Sequence, residues 1–137
     1  MGGTTFESSW AKLIEATLPE LGKRLRIEAA LVFGSWARSG GGEWSDIDLL
    51  IVSDDAKHIS ILERFSIATE LRREKIDVFI YTYEELVNMM NKGNPLALSA
   101  LIEGIPIKLS NRIEELKNKA QKMYKRVGRC WVAQLPK

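Results

Sequence analysis

Apolar positions along this chain recur first at helical and then at strand spacing, and the two periods alternate. Residues 5–24 carry Trp10, Leu13, Ile14, Ala16, Leu18 and Leu21 on one helical face, with Pro19 marking an irregularity. Ile27–Phe33 is a short β-rich run that ends at Gly34. Ser35 is placed to cap a helical turn through Arg38, and Gly40–Ser45 reads as a loop. Ile47–Val52 is apolar at nearly every position after Asp48, the pattern of a strand covered on both faces. A helix is expected over 56–73, with Ile61, Leu62, Phe65, Ala68 and Leu71 as its core face. Ile76–Tyr81 is the third strand. Tyr83–Asn91 reads as a helix, and Asn94-Pro95 opens another that runs to Glu103. Gly104 ends it, and Pro106, which cannot donate to a ladder, makes Ile105–Leu109 an edge strand. A last helix is expected over Asn111–Val127.

This alternation predicts an α/β (α+β) fold: a small mixed sheet flanked by helices. The chain of 137 residues reads as one domain, with neither a repeat nor a linker. Its hydrophobic fraction of 45% and charged fraction of 28% are those of a soluble globular protein. A formal net charge of +2 gives no sign of the basic domain that a dedicated nucleic-acid binder presents. One cysteine, Cys130, and one histidine, His58, exclude an internal disulfide and a Cys/His zinc site. No apolar run approaches a membrane span, and the N-terminus lacks a signal-peptide pattern, so a cytoplasmic location is expected.

The chemistry concentrates between the first two strands. An apolar run ends in Gly34-Ser35; ten residues later Ser45-Asp46-Ile47-Asp48 opens the next. Side chains at i and i+2 of a strand share a face, so Asp46 and Asp48 set two like charges together. That is unfavourable without a cation, and hard carboxylate ligands suit Mg²⁺ with substrate phosphates. Gly34 leaves room for a phosphate to approach the backbone, and Ser35 with the following N–H groups could donate to it. Asp77 stands between apolar neighbours on the third strand. Asp54 and Asp55 read instead as capping residues of the following helix, and His58 as a solvated helix position. Trp36 and Trp44 flank the motif and read first as packing residues.

The pattern apolar-Gly-Ser, about ten residues, Asp-apolar-Asp-apolar resembles the signature of the DNA polymerase β-type nucleotidyltransferases, and most closely the minimal nucleotidyltransferases. The similarity is strong over residues 31–81 and weaker through Glu103–Ile107. The resemblance implies a nucleotidyltransferase fold, with Asp46, Asp48 and Asp77 as catalytic metal ligands and Mg²⁺ as cofactor. Gly34, Ser35, Arg38 and Ser45 would bind the nucleotide, with Arg38 reaching the triphosphate. It further implies transfer of a nucleoside monophosphate, AMP from ATP foremost, to a hydroxyl acceptor. Such proteins are often the antitoxin beside a separate helical HEPN-type toxin. The HEPN hallmark Arg-x-x-x-x-His-x-Tyr is absent here, so that role would belong to another polypeptide. Two other readings stand beside this one. The first is a non-catalytic partner- or nucleotide-binding module. The second is a small-molecule nucleotidyltransferase of the aminoglycoside kind, which would need a second subunit to complete its pocket.

Residues 110–137 match no motif. Ile113, Leu116, Ala120, Met123 and Val127 form a stripe at helical spacing, followed by Cys130, Trp131, Val132 and Leu135. Ile113 and Leu116 are expected in the core. The segment from Val127 onward, with Trp131 as anchor, is expected to form an interface with a second copy or a partner. Lys117, Lys119, Lys122, Lys125, Arg126 and Arg129 read as a solvated basic face.

Overall fold

The computed structural model describes residues 5–34, 47–73 and 75–134. Helix α1 (Thr5–Gly22) contains Pro19 and leads to strand β1 (Ala29–Phe33). Strand β2 (Ile47–Val52) follows, then a 3-10 turn at Asp54–His58, helix α2 (Ile61–Arg72) and strand β3 (Ile76–Tyr81). Helix α3 (Tyr83–Asn91) and the short α4 (Pro95–Leu98) run into a π-helical turn, Ser99–Glu103, before strand β4 (Ile105–Lys108). Helix α5 (Asn111–Met123) precedes a hairpin of β5 (Tyr124–Val127) and β6 (Cys130–Ala133).

Four strands form one mixed sheet in the order β3-β2-β1-β4. β1 is antiparallel to both neighbours, whereas β2 and β3 are parallel, joined through α2 as a parallel pair requires. Alternation along each strand divides the core in two. Ala30, Val32, Leu49 and Ile51 face α1 and α2, while Leu31, Phe33, Leu50 and Val52 face α3, α4 and α5. β2 is buried along its length except at Asp48, as the apolar run from Leu49 to Val52 dictates.

The segment expected as one helix over 56–73 is broken in two. Ser53 accepts from Asp55 N–H at the 3-10 turn, and Ser60 accepts from Glu63 N–H to start α2 afresh. The restart turns Ile67 to the core, with Ala68 and Leu71 packed beside it. Ile61, Leu62 and Phe65, expected as core, are left 71%, 79% and 63% exposed. Asp54 and Asp55 do not cap their own turn but tie it to other elements: Asp55 accepts from Arg26 N–H and Asp54 from Tyr83 N–H, at the start of α3. His58 is exposed, as expected.

The C-terminal helix stops at Met123, four residues short of the expected end, because Tyr124–Val127 turns into a strand. Gly128, first of the two turn residues, takes φ 63°, as a type II′ hairpin turn requires. Tyr124 and Trp131 are placed inward against the second core, and the Arg126 guanidinium lies 4.5 Å over the Trp131 ring. Arg126 also grips Glu103 at 2.6 and 2.8 Å. Trp131 thus has a packing partner within its own chain, while Val127 and Val132 beside it stay 52% and 41% exposed. Arg126 and Lys117 also leave the expected solvated face. Lys117 donates to Leu101 O at 2.9 Å, and burial lowers its pKa below the ordinary lysine value.

Arg112, in the first turn of α5, closes a clasp across one end of the sheet. It holds Glu28 by two hydrogen bonds of 2.6 and 2.7 Å and Asp54 by one of 2.8 Å, and stacks 4.1 Å over the Tyr83 ring. These hydrogen bonds hold the Glu28 and Asp54 carboxyls below their ordinary pKa values. A lowered carboxylate contributes stability above its unfolded pKa and loses it as the pH falls through its folded pKa. Arg112→Ala is therefore expected to destabilise the fold near pH 7 by about 1–2 kcal/mol, discounted because Arg112 and Asp54 are half-exposed. Urea titrations of both proteins should show this gap shrinking toward about pH 3. A gap that does not depend on pH would mean that packing on Tyr83, and not the charges, is what Arg112 contributes.

Candidate functional site

β2 and β3 pair in register, Asp48 beside Asp77, and β1 sets Phe33 against Asp48 on the other side. Asp48 shares its face with Leu50 and Val52, and Asp77 with Phe79 and Tyr81. Both carboxylates therefore stand at the end of the second core, just past the Phe33–Phe79 contact, whose ring centroids are 5.7 Å apart. Adjacent strands run about 4.8 Å apart, which at these half-buried positions sets a like-charge repulsion on the order of 1–3 kcal/mol.

Gly34 closes this site from β1. Its φ is 77°, in the left-handed region, and a Cβ built on it would collide with Oδ2 of Asp48 and come within 3.3 Å of Cγ. The glycine thus makes room for the carboxylate itself, whereas the sequence had suggested it for a phosphate. On the far side, Lys75 takes φ 62° and its carbonyl receives Ile47 N–H at 2.9 Å, which aligns the starts of β2 and β3.

Ser35, Arg38, Ser45 and Asp46 lie outside the described residues, as do Trp36 and Trp44. Among the described residues no three His, Cys, Asp or Glu side chains converge as a metal site. The structure does bring together Gly34, Asp48 and Asp77, which lie far apart in sequence. It also adds Arg72, which the sequence reading passed over: its Nε lies 3.3 Å from Oδ1 of Asp77. Arg72 belongs to no motif; its one signal is a cation in the last helical turn before an acidic strand start. Arg72 and Asp77 stand at one end of a groove of about 550 Å³ between α2 and the outer edge of β3, with Phe65 and Ala68 on one wall and Phe79 on the other.

A mixed sheet in this order, with paired carboxylates at the start of its parallel strands and a glycine opposite, defines a nucleotidyltransferase fold. The chain belongs to the polymerase beta nucleotidyltransferase family, whose model matches residues 15–113. No curated protein matches it in sequence. Among solved structures it is similar to one of a toxin–antitoxin with AMP-PNP, at 17% identity and a TM-score of 0.53, covering 80% of this chain and 85% of that one. A mutant form of the toxin–antitoxin MntA–HpeT gives 16% identity, a TM-score of 0.53 and the same coverage. A putative nucleotidyltransferase from Sulfolobus solfataricus gives 19% identity and a TM-score of 0.52, over 77% of this chain and 87% of that one. Among the described residues no helix is long and apolar enough to cross a membrane.

Gly34→Ala is expected to cost about 1–2 kcal/mol from the left-handed backbone and about 1–3 kcal/mol more from the contact with Asp48. In an Asp48→Ala background the second part should vanish. Melting of the four proteins of this double-mutant cycle checks it; purely additive effects would detach Gly34 from the carboxylate.

Proposed function

We propose that this protein transfers a nucleoside monophosphate, AMP from ATP foremost, to a hydroxyl acceptor, with Mg²⁺ held by Asp46, Asp48 and Asp77. The observation that carries this reading is the in-register pair Asp48–Asp77 on one sheet face, with Asp46 two positions before Asp48 in the sequence. The donor set fits the ion: hard carboxylate oxygens on adjacent strands, and a glycine in place of any side chain that would fill the space beside Asp48. Mg²⁺ would neutralise charge on the triphosphate as the bond to pyrophosphate breaks. The chain's own residues do the rest. Gly34 keeps the Asp48 carboxylate in place. Ser35, Ser45 and Arg38 are assigned to the phosphates, the first two as hydrogen-bond donors and the third as a cation. Asp77 borders the open groove, where it can receive the proton of an attacking hydroxyl.

The similarity to a toxin–antitoxin solved with AMP-PNP supports a nucleotide substrate and a second protein as partner. In this reading the chain is the antitoxin and a separate HEPN-type protein carries the acceptor hydroxyl, a tyrosine by the family resemblance. The location that follows is cytoplasmic.

Asp46→Asn, Asp48→Asn and Asp77→Asn should each lower Mg²⁺-dependent transfer of label from ATP by about 100-fold or more while the fold survives. Titration with Mn²⁺, followed by its spin resonance, should show weakened metal binding in the same variants. Undiminished transfer in any of the three would remove that residue from the site. Wild-type protein that binds Mn²⁺ and ATP but transfers nothing to a co-purified partner would favour a binding module instead.

A further inference from the structure

Beside Asp77 the outer edge of β3 is open: among the described residues no strand pairs with it. Ile47 N–H donates to Lys75 O and Ser53 N–H to Tyr81 O, so the odd-numbered residues of this strand turn their backbone groups to β2. Those of Ile76, Val78 and Ile80 then point outward. Arg64 takes one of them, donating to Ile80 O at 3.3 Å. What is left is the stretch from Ile76 to Val78, which has Asp77 at its centre. The groove along this edge spans Asp77 to Tyr81, about 13 Å at the rise of an ordinary strand. Its α2 wall presents Ile61, Phe65 and Ala68, of which Ile61 and Phe65 are exposed. Both arginines that line it are engaged within the chain: Arg64 also donates to Ala56 O and to Glu85, and Arg72 to Asp77.

We infer that this groove takes a polypeptide acceptor: a short extended segment adds to β3 at Ile76 and Val78 and sets a hydroxyl side chain opposite Asp77. The inference rests on the transfer proposed above and names the class of its acceptor. Donors and acceptors along a strand edge are matched by another backbone, the mode by which sheet edges capture peptides. The exposed apolar wall suits side chains, and with both arginines engaged no lining cation is left for the phosphates of a nucleic acid. In an antiparallel addition the residue opposite Asp77 forms a non-hydrogen-bonded pair with it. The Cα atoms of such a pair are about 4.5 Å apart and its side chains share one face. The residue before it stands opposite Val78 and points to the other face, toward Phe65 and Ala68. An apolar residue directly N-terminal to the hydroxyl therefore fits best. The step itself is that of the proposed transfer. The hydroxyl oxygen bonds to the α-phosphorus of ATP, the bond to pyrophosphate breaks with its electron pair leaving on pyrophosphate, and the hydroxyl proton passes to Asp77.

Binding and transfer are read separately on the full chain. Without ATP, fluorescein-labelled peptides with Leu-Tyr or Lys-Tyr at their centre, and a short single-stranded RNA, are titrated up to millimolar concentration by anisotropy. The Leu-Tyr peptide should bind more tightly than the Lys-Tyr peptide by about tenfold, the value of a largely buried leucine. It should also protect the Val78 amide from hydrogen exchange. Phe65→Glu should weaken its binding by a similar factor with an unchanged circular dichroism spectrum, and Phe65→Leu should retain most of it. Absence of peptide binding, a preference for RNA, or binding that ignores Phe65→Glu and leaves Val78 unprotected would overturn the inference. Labelled ATP and Mg²⁺ are then added. Label that reaches a protein acceptor with the same kcat/KM in Phe65→Glu would overturn the groove and spare the transfer. Peptide that protects Val78 but never receives label would overturn the transfer and leave a peptide-binding edge.

Discussion

The parallel pairing of β2 with β3 is the constraint on which the site depends. Asp48 and Asp77 are separated by a 3-10 turn and a whole helix, and neither has any local reason to meet the other. They meet because two apolar strands, each alternating between the same two cores, must align their buried residues. A slip of β3 by one residue would turn Val78 and Ile80 out of their core and carry Asp77 to the face opposite Asp48. Burial thus positions two charged groups that repel one another, and the hydrophobic gain of both layers exceeds that local cost.

The same logic accounts for what could be read from the sequence. The strands were legible because their apolar runs are long and end in glycine or paired aspartates. The meeting of Asp48 with Asp77 was expected only through the family resemblance, because the spacing of Gly34-Ser35 and Asp46-Ile47-Asp48 concerns β1 and β2 and says nothing of β3. The role of Gly34 beside Asp48 was not, because its clash partner lies across the sheet, fourteen positions away in sequence.

The misreadings have local causes. Helical spacing over 56–73 put Ile61, Leu62, Phe65, Ala68 and Leu71 on one face; Ala68 and Leu71 do pack on the first core, but Ile67 is its buried position and the first three are exposed. Ser60 starts a new helix there by capping it. At the C-terminus the stripe through Met123 and Val127 continues in helical register, but Tyr124, Arg126 and Trp131 have partners elsewhere: the second core for the two rings, Glu103 for the cation. Tertiary contacts outweighed a weak propensity. Arg72 shows the converse, since an arginine near the end of a helix says nothing of itself until the next strand brings an aspartate beside it.

The Arg112 clasp also bears on how the chain is made. Its ligand Glu28 lies 84 positions earlier in the sequence. During synthesis from the N-terminus, β1, β2 and β3 can assemble while Glu28 and Asp54 still face water without their cation. Only when α5 emerges does a guanidinium arrive to join the beginning of the sheet to its end. The nascent domain would therefore pass through a stage in which its strands are in place while the layer of α3 and α4 lacks its final restraint. The arrival of α5, with Arg112 and the buried face of Ile113, Leu116 and Ala120, would close that assembly late in translation.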